Sequence, residues 1–231
     1  MAGDSTSPEL QVCAAVRALV GWDRVAVVAA DGLDHRMPLP GSDAVLMHWG
    51  DLQQSLAQGP GADVLATGAV VLVNDLRSGA TPWTVLQAAS PADLPVRSLA
   101  VVPLLAPGDG QVVGLLSVAR DAVAPFDDAQ VTLLTALAAL LAVVVTRRMA
   151  TGSLLGDRYD GDGGHGGHGG HEPGDQVAVV LGMLVERLGT SAEEALARLR
   201  AYAFSAGCTI HQAAGAVVAG RVELGVVVGK P

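Results

Sequence analysis

The chain is expected to be α+β, an antiparallel sheet flanked by helices and then a small all-α three-helix bundle, and two patterns predict it. The first is the order of elements over residues 8–150, helix–strand–strand–helices–strand–helix–strand–strand–helix, with turn-linked strand pairs that require antiparallel neighbours. The second is a set of three amphipathic runs in close succession over residues 175–225, each opened by a capping residue. A Gly/His-rich stretch at 151–174 separates the two parts.

The elements follow in order. Met1–Ser7 reads as a disordered lead, and Pro8–Val20 as a helix stopped by Gly21. Arg24–Ala30 is a β-run closed by Asp31-Gly32, a pair suited to positive φ, and His35–Leu39 is the returning strand. Asp43–Gln58 has helical spacing through Val45, Leu46, Trp49, Leu52 and Leu56. Gly59-Pro60-Gly61 breaks it; a short helix Ala62–Thr67 and a strand Ala69–Val73 follow. Pro82–Ala89 is a turn or two of helix. Arg97–Leu105 and Gln111–Arg120 flank Pro107-Gly108-Asp109-Gly110, a hairpin signal. Asp127 caps a long helix, Asp128–Met149.

In the C-terminal part Asp175 is read as the cap of Gln176–Leu188, whose Val177, Val180, Leu181, Leu184, Val185 and Leu188 share a stripe. Thr190-Ser191-Ala192-Glu193 reads as a capping box for a helix reaching about Ser205, with Ala195, Leu196, Leu199, Tyr202 and Ala203 inward. Thr209-Ile210-His211-Gln212 repeats the box for a third helix ending near Val222. Helices this short gain stability only by enclosing a shared core.

Composition limits the function classes. Half the residues are hydrophobic and 3% are aromatic. The longest nearly uninterrupted apolar run, Leu133–Val145, is shorter than the ~18–20 residues of a membrane span. No basic n-region with a hydrophobic run opens the chain. Cys13 and Cys208 both fall in predicted helices, which excludes a disulfide framework and fits a reducing cytoplasm. Residues 1–174 hold 18 acidic and 9 basic side chains; residues 175–231 hold 5 of each, so the C-terminal part is neutral. Nucleic-acid-binding modules usually carry a basic footprint, and this part does not; Arg187, Arg198, Arg200 and Arg221 could cluster on one face, but the composition does not demand it.

The residues offer no sign of catalysis. Gly59-Pro60-Gly61 and Gly108-Asp109-Gly110 lack phosphate-loop spacing, and the sole lysine is Lys230. His35 and His48 are isolated. His165, His168 and His171 lie in the Gly-rich linker without a completing Cys or carboxylate cluster, so a spacer is expected there, with no metal and no cofactor. The Asp128–Met149 helix is apolar nearly all round from Leu133 to Val145 and needs burial on more than one side. Pairing with its counterpart in a second subunit, together with Pro8–Val20, gives an expected homodimer.

Two resemblances add to this reading. Gln58-Gly59-Pro60, Val70–Val73 with Asn74-Asp75-Leu76, Trp83, the strands Val96–Leu104 and Val112–Val118, and Phe126-Asp127-Asp128 together resemble a GAF domain, a sensor module of bacterial signalling. The resemblance implies a pocket between sheet and helices for a small-molecule or protein effector. Met47, Trp49, Leu52, Trp83, Leu86, Leu99, Val101 and Leu115 would line it, although the same side chains suit an ordinary apolar core. An apolar lining with few converging polar groups implies a site of low specificity or none. Many members carry a Cys after the Gly-Pro; Gly61 stands there, so no thiol chemistry carries over.

Gly182-Met183-Leu184-Val185-Glu186-Arg187-Leu188-Gly189, Ser191–Ala203, Thr209-Ile210 and Ala214 through Val218 resemble an ANTAR domain, an RNA-binding module of bacterial antitermination regulators. That resemblance implies that Gly182, Met183, Arg187, Arg198, Arg200 and Tyr202 contact RNA stem-loops, with a core role the alternative for Tyr202. The chain departs from the family at Val179-Val180-Leu181, where relatives place polar residues. Val179, Gly182 and Met183, with Gly215, Ala216, Ala219 and Gly220 on the third helix, make an apolar outer face suited to protein contact. The expected protein is a cytoplasmic GAF–ANTAR regulator; the alternative is a dimeric sensor whose helical part docks proteins and has lost RNA binding.

Overall fold

The computed structural model describes residues 8–31, 35–78, 81–151 and 173–229. Its elements are α1 (Pro8–Val20), β1 (Arg24–Asp31), β2 (His35–Pro38), α2 (Ala44–Leu56), α3 (Pro60–Thr67), β3 (Val71–Val73), α4 (Thr84–Ala89), β4 (Ser98–Leu105), β5 (Val112–Arg120), α5 (Asp128–Thr151), α6 (Pro173–Leu188), α7 (Ala192–Ser205), α8 (Ile210–Val218) and α9 (Leu224–Val228). The five strands form one fully antiparallel sheet in the order β2-β1-β5-β4-β3.

Side-chain alternation divides the sheet into two faces. Val25, Val27, Ala29, Ala100, Val102, Leu104, Leu116 and Val118 face α1 and α5, where Cys13, Val16, Leu134, Ala138, Leu141 and Val145 meet them. Ala26, Leu99, Val101, Leu115 and Ala119 face the other way, toward Leu46 and Trp49 of α2, Val64 of α3 and Leu86 of α4. The domain is therefore a three-layer α/sheet/α stack, with a cavity on the α2 side. Gly114 holds the centre of the sheet: a Cβ there would lie 2.4 Å from the Val28 carbonyl oxygen and 2.9 Å from Leu104 Cδ1. Ser98, fully buried, ties the end of β4 to the loops: its hydroxyl lies 2.8 Å from the carbonyls of Asn74 and Ala122 and accepts from Ala124 N–H at 2.8 Å.

Local chemistry explains several element ends. Asp43 accepts from the Val45 and Leu46 amides at 2.9 and 3.1 Å and starts α2. Asp127 and Gln130 exchange backbone and side-chain hydrogen bonds at the start of α5. Thr209 and Gln212 complete a capping box at α8. The box expected from Thr190 to Glu193 is displaced by one residue: Ser191 caps α7 by accepting from Glu194 N–H at 3.2 Å, while Thr190 donates to the Glu194 carboxylate.

Two further expectations are corrected, and the long helix carries one observation more. α6 begins at Pro173, so Asp175 lies inside the helix; proline is favoured in the first turn because its missing N–H is lost there anyway. The third helix of the C-terminal part stops at Val218, and a separate turn of helix, α9, returns Val227 to the same core. α5 is longer than its uncharged run, and Asp128–Ala150 is long and apolar enough to cross a membrane by length and composition alone. Its inner stripe packs on the sheet, whereas Leu133, Leu140, Val143 and Val144 are exposed. The linker histidines His165, His168 and His171 lie outside the described residues.

In the C-terminal module, α6, α7 and α8 enclose a core around Val180, Leu184, Leu199, Ile210 and Ala214. The module rests on the N-terminal domain: α7 and α8 pack against α2, and α6 against β2.

Candidate functional site at the seam of sheet and helical module

Sheet register sets one wall of the cavity. Val28 pairs with Leu115, Ala26 with Ser117, and Ser117 with Val101, so these side chains fall in neighbouring rows on the α2 face. α2 supplies Leu46, Met47, Trp49, Gly50, Asp51 and Gln53, β2 supplies Arg36 and Pro38, and Gly61 and Leu99 complete the domain's share. The space measures about 260 Å³. One further lining residue, His211, comes from the helical module.

The module reaches the cavity through a chain of specific bonds. Ile210 N–H, an orphan amide at the start of α8, donates to Ser55 Oγ at 2.8 Å. The Ser55 hydroxyl donates in turn to the Asp51 carbonyl at 2.7 Å. His211 Nε2 lies 3.2 Å from Gln54 Oε1 and 3.3 Å from Asp51 Oδ1. Arg200 Nε donates to the Gln54 carbonyl at 3.0 Å. Gln54 and Ser55 are polar residues on an outer turn of α2, and both are buried. Burial pushes the Asp51 carboxyl above the usual carboxylate range, with the charges of His211, His48 and Arg36 pulling against it. Gln53 is buried and structural: its Oε1 accepts from Gly61 N–H at 2.8 Å. That bond orders the turn at Gly59, where φ is +133° and a Cβ would strike the Gln53 side chain.

Of the residues expected to line a pocket, Met47, Trp49, Leu99, Val101 and Leu115 come together here. Trp83 and Leu86 instead line a second cavity of about 200 Å³ on the far side of Trp49, with Leu76, Leu94 and Val96. Trp49 lines both cavities and Trp83 only the second; Trp49 Nε1 donates to Ser90 Oγ at 3.1 Å and Trp83 Nε1 to Asp63 at 2.9 Å. Leu52 lines neither cavity and packs at the edge of the apolar core. The expectation of a lining with few converging polar groups is corrected, since Arg36, Asp51, Gln53, Ser117 and His211 all reach it. Asp51 sits three residues after His48 on α2, a spacing visible in sequence, but nothing local marks His211.

The residues expected at RNA divide into three sets. Gly182, Met183 and Arg187 are exposed on α6. Arg198 is half-buried, paired with Glu194 at 2.8 Å, and reaches toward the Val228 carbonyl at 3.4 Å. Arg200 faces α2, and Tyr202 packs partly buried on the module core. Val179 and Met183 remain exposed, so the apolar outer face of α6 is not what meets the N-terminal domain; Arg200, Ile210 and His211 meet it.

Comparison with known proteins gives one family and a set of similar folds. The model of the GAF domain matches residues 11–145. Nothing among curated proteins matches the chain. Solved structures include the GAF domain of an Acinetobacter phosphoenolpyruvate-protein phosphotransferase, 16% identical over 64% of this chain and 89% of that one, with a TM-score of 0.47. The GAF domain of the Coxiella burnetii phosphoenolpyruvate-protein phosphotransferase is 14% identical, with the same coverages and a TM-score of 0.48. Free methionine-R-sulfoxide reductase from Neisseria meningitidis, solved with its substrate, is 22% identical over 61% of this chain and 78% of that one, at a TM-score of 0.45.

Proposed function

The chain belongs to the GAF domain family, and from that premise we propose that it is a signal-responsive transcription regulator acting on RNA. In this reading the GAF domain senses a small molecule in the cavity beside Trp49, and the three-helix module is the output. By its ANTAR resemblance, the module grips RNA stem-loops and prevents a competing terminator hairpin. The observation that carries the reading is the place of His211: a residue of the output module forms part of the wall of the sensing cavity. A ligand that changes that wall changes how the module sits, which is what coupling between two sites requires.

The docked arrangement has a consequence for RNA. Arg187 stands exposed, but Arg198 is engaged with Glu194 and Arg200 with the Gln54 carbonyl. The docked form thus corresponds to weak RNA binding, and undocking returns Arg200 to the module's surface. Gel-shift titration with tandem-hairpin RNA tests this. Salt-sensitive binding is expected, with Arg187→Ala plus Arg198→Ala lowering affinity about tenfold or more and reducing the salt slope by about two. A second reading, output through protein contact alone, is favoured by the exposed Val179 and Met183. Absence of RNA binding, both docked and with the module released by Ser55→Ala, would support that reading and overturn the first.

A further inference from the structure

We infer that the second cavity, where α4 and the loops on either side of it close against Trp49, is a binding site for a small neutral aromatic molecule. It shares only Trp49 with the cavity that His211 reaches, and it stands whether or not the helical module binds RNA. The space measures about 200 Å³. An apolar cavity of about 150 Å³ is already enough to take up benzene, so a single substituted ring has room here.

The lining decides the chemistry of the guest. Its buried members are Trp49, Trp83, Leu86 and Val96. Both indole N–H groups are already spent, Trp49 Nε1 on Ser90 Oγ and Trp83 Nε1 on Asp63. What the two indoles offer a guest is therefore ring surface. Among the described residues rings pair only at Trp22 and Phe126, so neither Trp49 nor Trp83 has an aromatic partner of its own. A guest ring would supply one, and aromatic pairs gain contact energy beyond the area they bury.

Most of the polar lining is engaged with the protein. Ser90 Oγ donates to the Leu86 carbonyl at 2.7 Å besides accepting from Trp49. Arg77, on the loop after β3, donates to the Leu94 carbonyl at 2.7 Å, and Gln87 of α4 lies 3.5 Å from the Leu76 carbonyl. Thr81 adds one hydroxyl, enough to meet a single polar atom of a neutral guest. An ionic group would have to give up its water among buried indoles, or stay outside beside the exposed Arg77, where solvent screens the pair.

The test uses four probes of one size: benzyl alcohol, its saturated counterpart cyclohexylmethanol, benzoate and benzylamine. Each is titrated into the isotope-labelled full chain while the three indole N–H signals are followed. Trp83 lines this cavity alone, Trp49 lines both, and Trp22 lines neither. Benzyl alcohol is expected to shift Trp83 and Trp49 saturably, with half-saturation at about 5 mM or below, and to leave Trp22 in place. Cyclohexylmethanol should bind about twofold or more less tightly, and each ion about tenfold or more less tightly. Leu94→Phe fills part of the space from a half-buried lining position and should weaken benzyl alcohol about tenfold or more, with Leu76→Phe as a second variant should the first disturb the fold. A shift of Trp49 without Trp83 would place the guest in the other cavity and overturn the site. Shifts that never saturate, or affinity unchanged in both variants, would overturn it too. An ion binding as tightly as benzyl alcohol would overturn the neutral class, and equal affinity for cyclohexylmethanol the aromatic one.

Discussion

Replacing Ser55 by alanine removes one of the side-chain bonds that anchor α8 to α2, leaving those of His211 to Gln54 and Asp51, and its cost can be worked from the seam. Ser55 Oγ accepts from Ile210 N–H at 2.8 Å; Ile210 is fully buried and Ser55 nearly so. That amide belongs to the first turn of a helix and has no partner within it. In the docked form of Ser55→Ala it stays buried without an acceptor, a penalty of about 1–3 kcal/mol; undocked, it is solvated in variant and wild type alike. The docked-to-undocked ratio therefore falls about 5- to 150-fold. Amide exchange at Ile210 measures this directly, because its protection should drop by the same factor. The tryptophans supply the control. Trp22, Trp49 and Trp83 all lie in the GAF domain, so their fluorescence reports that domain's melting alone. A drop of less than about twofold in Ile210 protection, or a loss in the tryptophan melt matching the loss at Ile210, would refute the account of Ser55 as an anchor of the seam.

The remaining predictions concern the sheet, the carboxylates and the exposed helix. Gly114→Ala should destabilise the GAF domain by about 3 kcal/mol or more, because the Cβ would meet the Val28 backbone in the central strand pair; urea melting checks it. Asp75 is held below the usual carboxylate range, chiefly by the Arg77 amide and then by Arg97. Its stabilising contribution is thus present above the unfolded value and lost as pH falls through the folded one, so Asp75→Asn should flatten the acid limb of a stability–pH profile. Asp51 has the opposite sign. Burial raises its folded value, so its contribution is present at low pH and lost as pH rises through that value. Stability measured for Asp51→Asn relative to wild type should improve with rising pH over that interval. Leu133, Leu140, Val143 and Val144 are exposed on α5, and we propose that a second copy of the chain covers them. Sedimentation at micromolar concentration should find a dimer, with Leu140→Glu raising its dissociation constant about tenfold or more.

Much of the fold was legible because local chemistry and the global structure agree. Asp127 and Thr209 each cap the helix their position announces, and the turn at 107–110 joins the strands it should. The last helix and the polar half of the site were missed for one cause: the deciding partner is remote in sequence. α9 escaped notice because Glu223 makes no side-chain cap bond and Val226-Val227-Val228 is β-branched; only packing of Val227 on the module core makes the helix worthwhile. The apolar half of the site could be read from sheet alternation and the family resemblance. The polar half could not. Ser117 looks like any small residue in a strand, and Asp51 like a solvated helix residue. His211 is concealed inside a capping box, whose pattern accounts for Thr209 and Gln212 and says nothing about where the intervening side chain points.

The neutral charge of the helical module makes better sense once its docking is considered. A strongly basic module would bind phosphate whether or not it was docked, and a ligand of modest affinity could not control it. Control requires differential contact: a ligand with equal affinity for two states shifts neither, however tightly it binds. Here the contacts that distinguish the states are few and named: His211 with Asp51 and Gln54, Ile210 with Ser55, and Arg200 with the Gln54 carbonyl. Each is a single hydrogen bond worth about 0.5–1.5 kcal/mol net. Under the proposed function, their sum is small enough for one bound ligand to tip and large enough to keep Arg200 on the Gln54 carbonyl in the docked form. A module with few cations gains most from withholding one. On this account Arg200→Lys, which keeps the charge and loses the Nε–H that Gln54 accepts, should weaken docking and raise RNA affinity together. A fall in RNA affinity with docking unchanged would show that Arg200 serves RNA only and that the seam does not regulate it.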